Sequence, residues 1–250
     1  MIPNIIAIIQ ARMGSTRLPG KVMLPIANKP MLQHVIERLR TSLVLNNIAL
    51  TTTILEEDNC LEAFVNKHGL VCNRGSVQDV LSQYYNTATY LHATIIVRVC
   101  ADSPLIDPRL IDELVASHLH ANADYTSNGN GERIRTFPLG VDSEVFNYNA
   151  LEKAYKESCE NYEREHVTPY IYQHPEAFKL KYVEAIGKLR RPDLRLTVDE
   201  EDDLILVREI FNRLYRENRI FYTEDVINLL DSHPELVLIN AHVHQKKLGE

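Results

Sequence analysis

The chain predicts an α/β fold in which a mainly parallel central sheet carries helices on both faces. Three observations carry that expectation. The run Ile5-Ile6-Ala7-Ile8-Ile9 is unbroken, apolar and mostly β-branched, as in a strand buried on both sides. After it, strand-like and helix-like segments alternate, the order that builds parallel sheets. A hydrophobic content of 45% with 24% charged residues over 250 positions supplies a full core for one large domain, and no linker or internal repeat divides it.

Each later element has its own signal. Pro30 suits a first helical turn, and Met31, Leu32, Val35, Ile36 and Leu39 follow at helical spacing. Residues 48–53 read as a strand. Residues 57–67 read as a helix ending near Gly69, and Leu70-Val71-Cys72 as a short strand. Ser76 is placed to cap a helix through Val80, Leu81, Tyr84 and Tyr85 to about Tyr90. Residues 94–99 form the next strand, apolar except for Arg98, which needs a paired anion if buried. Ser103-Pro104 ends it, and Asp107-Pro108 is a helix N-cap with proline in the first turn. Beyond lie a strand at 123–126, a loop at 127–135, a strand at 137–146, a helix at 150–158, and a strand at 178–183. A short alternating strand at 194–198 precedes a helix opened by five acids, Asp199 to Asp203, and the tail from Asp225 to Val237 is helix followed by an apolar segment.

The stretch Gln10 to Ile26 changes character at once. Arg12, Arg17 and Lys21 alternate with Gly14, Ser15, Thr16, Pro19 and Gly20, and no Asp or Glu precedes Glu37 although the net charge is -7. A strand followed by a small-residue turn with concentrated positive charge makes an anion site: glycine admits a phosphate to the backbone, hydroxyls donate, and Arg and Lys neutralise. The spacing of Gly14 and Gly20, and Val22 after Lys21, exclude the Walker loop.

The string Ala11-Arg12-x-x-Ser15-Thr16-Arg17-Leu18-Pro19-x-Lys21 resembles the N-terminal signature of the cytidylyltransferases that activate acidic sugars, the CMP-KDO and CMP-sialic acid synthetases, and most of all their SpsF-like branch. The resemblance implies a Rossmann-like nucleotidyltransferase fold. It implies a nucleotide held by Gln10, Ala11, Arg12, Gly14, Ser15, Thr16, Arg17 and Lys21, with Arg74, Ser76, Asp79 and Arg98 as further contacts. Arg12, Lys21 and Asp102 are its catalytic candidates, and Asp102 and Asp199 its ligands for Mg2+. Phe137 to Phe146 resembles a segment beside the sugar, with Asp142 or Glu144 on hydroxyls. Arg164 and His166, in Glu163-Arg164-Glu165-His166-Val167-Thr168-Pro169-Tyr170, are candidates for a sugar carboxylate or for a subunit contact. Read from residue type alone, each of these has an ordinary alternative: Ser76 a cap, Asp142 and Glu144 polar strand positions, Arg164 and His166 an exposed charged helix. The resemblance implies CTP and an acidic sugar as substrates, and a homodimer built through residues 127–190. Gln10 stands where the acidic-sugar synthetases have proline, and Ala101-Asp102-Ser103-Pro104 where the KDO type has Gly-Asp-Glu-Pro; both fit the SpsF-like branch better.

Composition narrows the rest. No apolar segment is long enough for a bilayer, and the N-terminal residues lack a basic leader. Cys60, Cys72, Cys100 and Cys159 are scattered, which reads as buried free thiols in a reducing cytoplasm rather than disulfides or zinc. The acidic balance argues against nucleic acid. Two carboxylates at separate strand ends suit magnesium. Two alternatives stay open: a nucleotide-sugar-dependent glycosyltransferase, although no Asp-x-Asp follows the mid-chain strand, and a silent nucleotide-binding module.

Overall fold

The computed structural model describes residues 2–129 and 135–245. The centre of the expected 127–135 loop and the basic end beyond residue 245 lie outside them. Strands are β1 (Ile5–Gln10), β2 (Pro25–Ile26), β3 (Lys29–Pro30), β4 (Asn47–Thr53), β5 (Val71–Gly75), β6 (Ile95–Cys100), β7 (Tyr125–Ser127), β8 (Glu144–Asn147) and β9 (Leu180–Tyr182). Helices are α1 (Met31–Leu39), α2 (Asn59–Lys67), α3 (Val80–Tyr90), α4 (Pro108–Ala121), α5 (Tyr148–Glu157), α6 (Asn161–His166), α7 (Pro169–Gln173), α8 (Glu201–Leu214), α9 (Thr223–Ser232) and α10 (Pro234–Val237).

The main sheet has seven strands in the order β5-β4-β1-β6-β8-β7-β9. β5, β4, β1 and β6 are mutually parallel. β8 runs antiparallel to both β6 and β7, and β9 is parallel to β7. The chain moves from β1 outward to β4 and β5, then returns to place β6 on the other side of β1. That reversal leaves a crevice beyond the carboxyl ends of β1 and β6, where open α/β sheets bind ligands.

The apolar run of β1 explains its centrality. Ile5, Ala7 and Ile9 face one core with Leu32 and Val35 of α1, Leu61 of α2 and Ile111 of α4. Ile6 and Ile8 face a second core with Leu81 and Tyr84 of α3 and Leu151 of α5. Alternate residues thus serve opposite faces, each fully buried isoleucine contributing roughly 1.5–3 kcal/mol. A third core joins Leu194, Leu196 and Val198 to α8 and α9.

Several expectations change. Ser76 does not cap α3: Asp79 does, its carboxylate accepting from Ser82 N at 3.0 Å. Of the 137–146 segment only the part from Glu144 onward is strand, as β8, Glu144–Asn147. Residues 194–198 are not a strand; they make one bridge, Leu139 to Arg195. The alternation there is real but serves side-chain burial, because the backbone bonds to Leu139 and to Asp102 instead of to a ladder. Cys60 and Cys159 are exposed, and Cys72 and Cys100 half-buried; all four are free. Asp107 is the predicted cap of α4, with Pro108 in the first turn. Among the described residues no helix is long and apolar enough to cross a membrane.

Gly140 lets the 139–140 turn lie directly on residues 196–197. Its φ is +102°, and an added Cβ would sit 2.4 Å from Thr197 N. Gly140→Ala is therefore expected to cost at least about 1–3 kcal/mol, read as a lower urea midpoint; an unchanged midpoint would contradict the contact.

Candidate functional site

The turn after β1 is held from below. Asp58 is fully buried and accepts Met13 N at 2.7 Å and the backbone and hydroxyl of Thr53. Met13 O accepts Ser15 N and Gly20 N at 2.8 and 2.9 Å, and Gly20 takes φ +69° to close the turn. This leaves the N–H groups of Gly14, Thr16 and Arg17 with no acceptor among the described residues. Arg12 is exposed and likewise has no ion pair or hydrogen bond among them. Unsatisfied amides beside an uncommitted guanidinium form a receptor for a phosphate oxygen.

The other two cations of the turn are committed. Lys21 Nζ donates to Asp102 Oδ2 at 2.8 Å, Asp199 Oδ1 at 2.9 Å and Val198 O at 2.8 Å. Burial works to lower the Lys21 pKa, but Asp102 and Asp199 outweigh it and hold the ammonium above its ordinary value. Arg17 reaches Asp199 at 3.0 Å and Glu200 at 3.2 Å. The two aspartates, 97 positions apart by number (199 less 102), meet because the backbones clasp: Val198 N and Thr197 Oγ1 both donate to Asp102 O, at 2.9 and 3.2 Å. From behind, Arg195 donates to Asp199 Oδ2 at 2.7 Å and grips Asp203 with Nε and Nη2. Burial would raise the Asp199 pKa; Lys21, Arg17 and Arg195 together pull it below the usual carboxylate value.

These groups surround a cavity of about 270 Å³ at the β1/β6 crevice, lined among others by Gln10, Ala11, Arg12, Ser15, Thr16, Arg17, Lys21, Arg98, Asp102 and Asp199. Cys100, Ala101 and Val22 line it too and carried no sequence signal of their own. Arg195 and Thr197 were also not singled out, although the 194–198 alternation puts both on the face opposite the buried Leu194, Leu196 and Val198.

The remaining candidates are engaged by protein groups or lie off the cavity lining. Arg98 has the paired anion its strand demanded: Glu144 Oε2 at 2.5 Å, with Gln10 Oε1 at 3.2 Å. Glu144 also accepts from Tyr125 OH and Thr168 Oγ1, both at 2.6 Å. It is thus a buried counter-ion for Arg98 rather than an open hydroxyl ligand. Asp142 pairs with Arg135 at 2.5 Å, and burial, opposed by Arg135, raises its pKa. Arg74 bonds to Thr53 O, Leu55 O, Asn59 and Glu62, a brace across β4, β5 and α2. Ser76 is exposed and does not line the cavity. Asp79 pairs with Arg164 at 2.8 Å, which also donates to Tyr155 O and Ser158 O. His166 is half-buried. Burial first, then Arg98 and Arg12 against Glu165 and Glu144, lowers its pKa below the ordinary histidine value.

For a metal, the donors present are carboxylates. Among the described residues no three His, Cys, Asp or Glu side chains converge. Asp102 Oδ1 has no partner among them, while both oxygens of Asp199 are engaged. One or two carboxylates without His or Cys suit a hard cation that completes its shell with phosphate oxygens and water.

A mainly parallel sheet with an anion-binding turn at its reversal point, cations and paired aspartates around one cavity, defines an α/β protein built to handle a nucleotide. A family model described as Cytidylyltransferase matches residues 6–231, and the chain belongs to that family. It is 33% identical over 237 residues to the spore coat polysaccharide biosynthesis protein SpsF of Bacillus subtilis, covering 93% of this chain and 96% of that one. It is 41% identical over 247 residues to an uncharacterized protein of Methanocaldococcus jannaschii, covering 99% and 98%. A 3-deoxy-manno-octulosonate cytidylyltransferase of Geobacter sulfurreducens is 38% identical over 114 residues, 45% of this chain and 44% of that one. Among solved structures, a cytidylyltransferase from Leptospira borgpetersenii superposes with TM-score 0.85 at 29% identity, covering 99% of this chain and 100% of that one. A CMP:2-keto-3-deoxy-manno-octonic acid synthetase complexed with CTP shares the fold, with TM-score 0.65 at 16% identity and coverage of 85% and 100%.

The buried Glu144–Arg98 pair gives a pH-dependent prediction. Burial would raise the Glu144 pKa, but Arg98, Thr168 and Tyr125 bring it below the model-compound value of 4.5. A depressed carboxylate contributes stability present above its unfolded pKa and lost as pH falls through the folded one. Glu144→Gln is expected to lose about 3–5 kcal/mol at pH 7, with the gap to wild type narrowing below pH ~4.5. Denaturant midpoints measured from pH 7 to pH 3 check both; a gap constant with pH would contradict the pairing.

Proposed function

We propose that this protein transfers CMP from CTP to an acidic sugar of the 2-keto-3-deoxy type, with release of pyrophosphate, for synthesis of a surface polysaccharide or glycan. The observation that carries the reading is the cavity at the β1/β6 crevice, where the open amides of the 12–17 turn and Arg12 stand beside Lys21, Asp102 and Asp199. Family membership, the polysaccharide-biosynthesis relative and the partial match to a 3-deoxy-manno-octulosonate cytidylyltransferase support it.

In this reaction a sugar hydroxyl oxygen bonds to the α-phosphorus of CTP as the bond to the β-phosphate oxygen breaks; pyrophosphate leaves and the hydroxyl proton passes to solvent. The protein's work is to position both substrates and absorb charge on phosphoryl oxygens. Arg12 and the N–H groups of Gly14, Thr16 and Arg17 bind the phosphate chain. Lys21, fixed by three acceptors, presents a localised positive charge to it. Asp102, with Asp199, would hold Mg2+, which when bound neutralises phosphate oxygens. The same reading has the enzyme act in the cytoplasm as a homodimer joined through residues 127–190.

Lys21→Ala and Asp102→Asn are each expected to lower turnover on the order of a hundredfold or more while the protein stays folded. The test is pyrophosphate release from each of the four nucleoside triphosphates with 2-keto acid sugars and with sugar phosphates, with and without Mg2+. Release that requires CTP, an acidic sugar and Mg2+ is the expected result. Tight CTP binding without turnover on any sugar, or near-normal turnover in either variant, would overturn the reading.

A further inference from the structure

Asp203 closes the acidic run that opens α8, yet its carboxylate is fully buried. It completes a capping box with Glu200. That duty needs one bond, Glu200 N donating to Asp203 Oδ2 at 3.1 Å. Four further hydrogen bonds converge on the same carboxylate: Oδ2 accepts from Asp199 N at 2.9 Å and Arg195 Nη2 at 3.1 Å, and Oδ1 from Arg195 Nε at 2.9 Å and Asn240 Nδ2 at 2.8 Å. A buried carboxylate is costly unless it is fully paired. A fully satisfied buried network of this kind fixes the geometry of its members, and its members here are a helix start, an arginine and the backbone of Asp199.

Asn240, in the turn after α10, is buried too. Its two amide hydrogens go to Asp203 Oδ1 and to Arg195 O, at 2.8 and 3.0 Å. It therefore ties down both the carboxylate that the guanidinium grips and the backbone from which that guanidinium hangs. Gln245 Oε1 accepts from Arg195 Nη1 at 2.8 Å, so every nitrogen of the group is engaged. Among the described residues Arg195 is the one partner of Asp199 Oδ2, while Oδ1 faces Lys21 and Arg17. The direction of the Asp199 carboxylate thus depends on where Arg195 stands. We propose that Asp203 and Asn240 are positioning residues for the reaction: they lock Arg195 and the backbone of Asp199, so that the Asp199 carboxylate keeps its place on Lys21. A capping role alone entails lost stability and nothing more, whereas positioning entails lost turnover that runs through Asp199.

The kinetic tests rest on the cytidylyl-transfer reading. With CTP and 3-deoxy-manno-octulosonate as probes, at a temperature where the variants are folded, Asn240→Ala is expected to lower kcat about tenfold with the KM for CTP within about twofold of wild type. In the Asp199→Asn background the same change is expected to cost less than about twofold, because the group it positions is gone. An unchanged kcat in Asn240→Ala, or equal losses in the two backgrounds, would overturn the proposal. Arg195→Lys keeps the charge but cannot fork across Asp203 and Asp199; it is expected to lose at least as much turnover, and full turnover in it would overturn the proposal. His242→Ala cuts a surface contact of the same segment with Asp202 and is expected to leave kcat unchanged. A loss as large as that of Asn240→Ala would trace the effect to a loosened segment and overturn the proposal as well.

A crystallographic test needs no substrate. In crystals of Asn240→Ala the Asp199 carboxylate is expected to turn from its place between Lys21 and Arg195, and a carboxylate that superposes on the wild-type one would overturn the proposal. Absence of wild-type turnover would count against cytidylyl transfer, while the place of Asp199 in these crystals still decides for or against positioning.

Discussion

One ammonium group organises this site. Lys21 Nζ is shared by the carboxylates of Asp102 and Asp199 and by the carbonyl of Val198. Three acceptors from two distant chain segments leave it little freedom, and its near-burial makes each interaction stronger than in water. The constraint runs both ways. The carboxylates could not be so close without a cation between them, since like charges at that range repel. The lysine could not stay buried and charged without them. The clasp of residues 197–198 onto Asp102 O brings the two carboxylates together, and Gly140 clears the space in which that clasp forms.

Charge is divided around the cavity in a way that separates scaffold from receptor. Of the cations on its lining, Arg17, Lys21 and Arg98 carry carboxylate partners, as Arg135, Arg164 and Arg195 do away from it. Arg12 has none among the described residues, and it stands where the loop amides also lack acceptors among them. A phosphate arriving there meets donors that need no partner displaced, whereas Lys21 acts at a fixed position. Preorganisation of this kind is how a protein stabilises charge that builds on a phosphoryl group without reorganising at that moment.

Much of this was legible in the amino-acid order, for reasons that can be named. β1 was readable because a strand covered on both faces has no polar position to confuse its period. The turn at 10–26 was readable because small residues and cations cluster where acids are missing. Arg98 announced its need for an anion, but not which one: Glu144 comes from β8, and antiparallel pairing of β6 with β8 is invisible to local pattern. Ser76 and Asp79 both suit a helix start, and only the course of the chain after β5 decides between them. The 194–198 segment alternates like a strand because its apolar side chains are buried on one side, while its backbone bonds go to Leu139 and Asp102. The backbone at Val167, with φ +73°, had no signal at all, since valine is among the last residues expected at positive φ. Arg74, Arg164 and Glu144 were drawn toward ligand roles by resemblance, and each bonds to at least three neighbouring protein groups that local pattern does not reveal.

The central claim is that Asp102 and Asp199 act as one unit through Lys21. A double-mutant cycle on pyrophosphate release, comparing Asp102→Asn, Asp199→Asn and the pair, tests it most directly. If the unit is real, the double variant falls little below the worse single variant, because either change alone dismantles the shared arrangement. Losses that simply multiply would show two independent carboxylates and contradict the account.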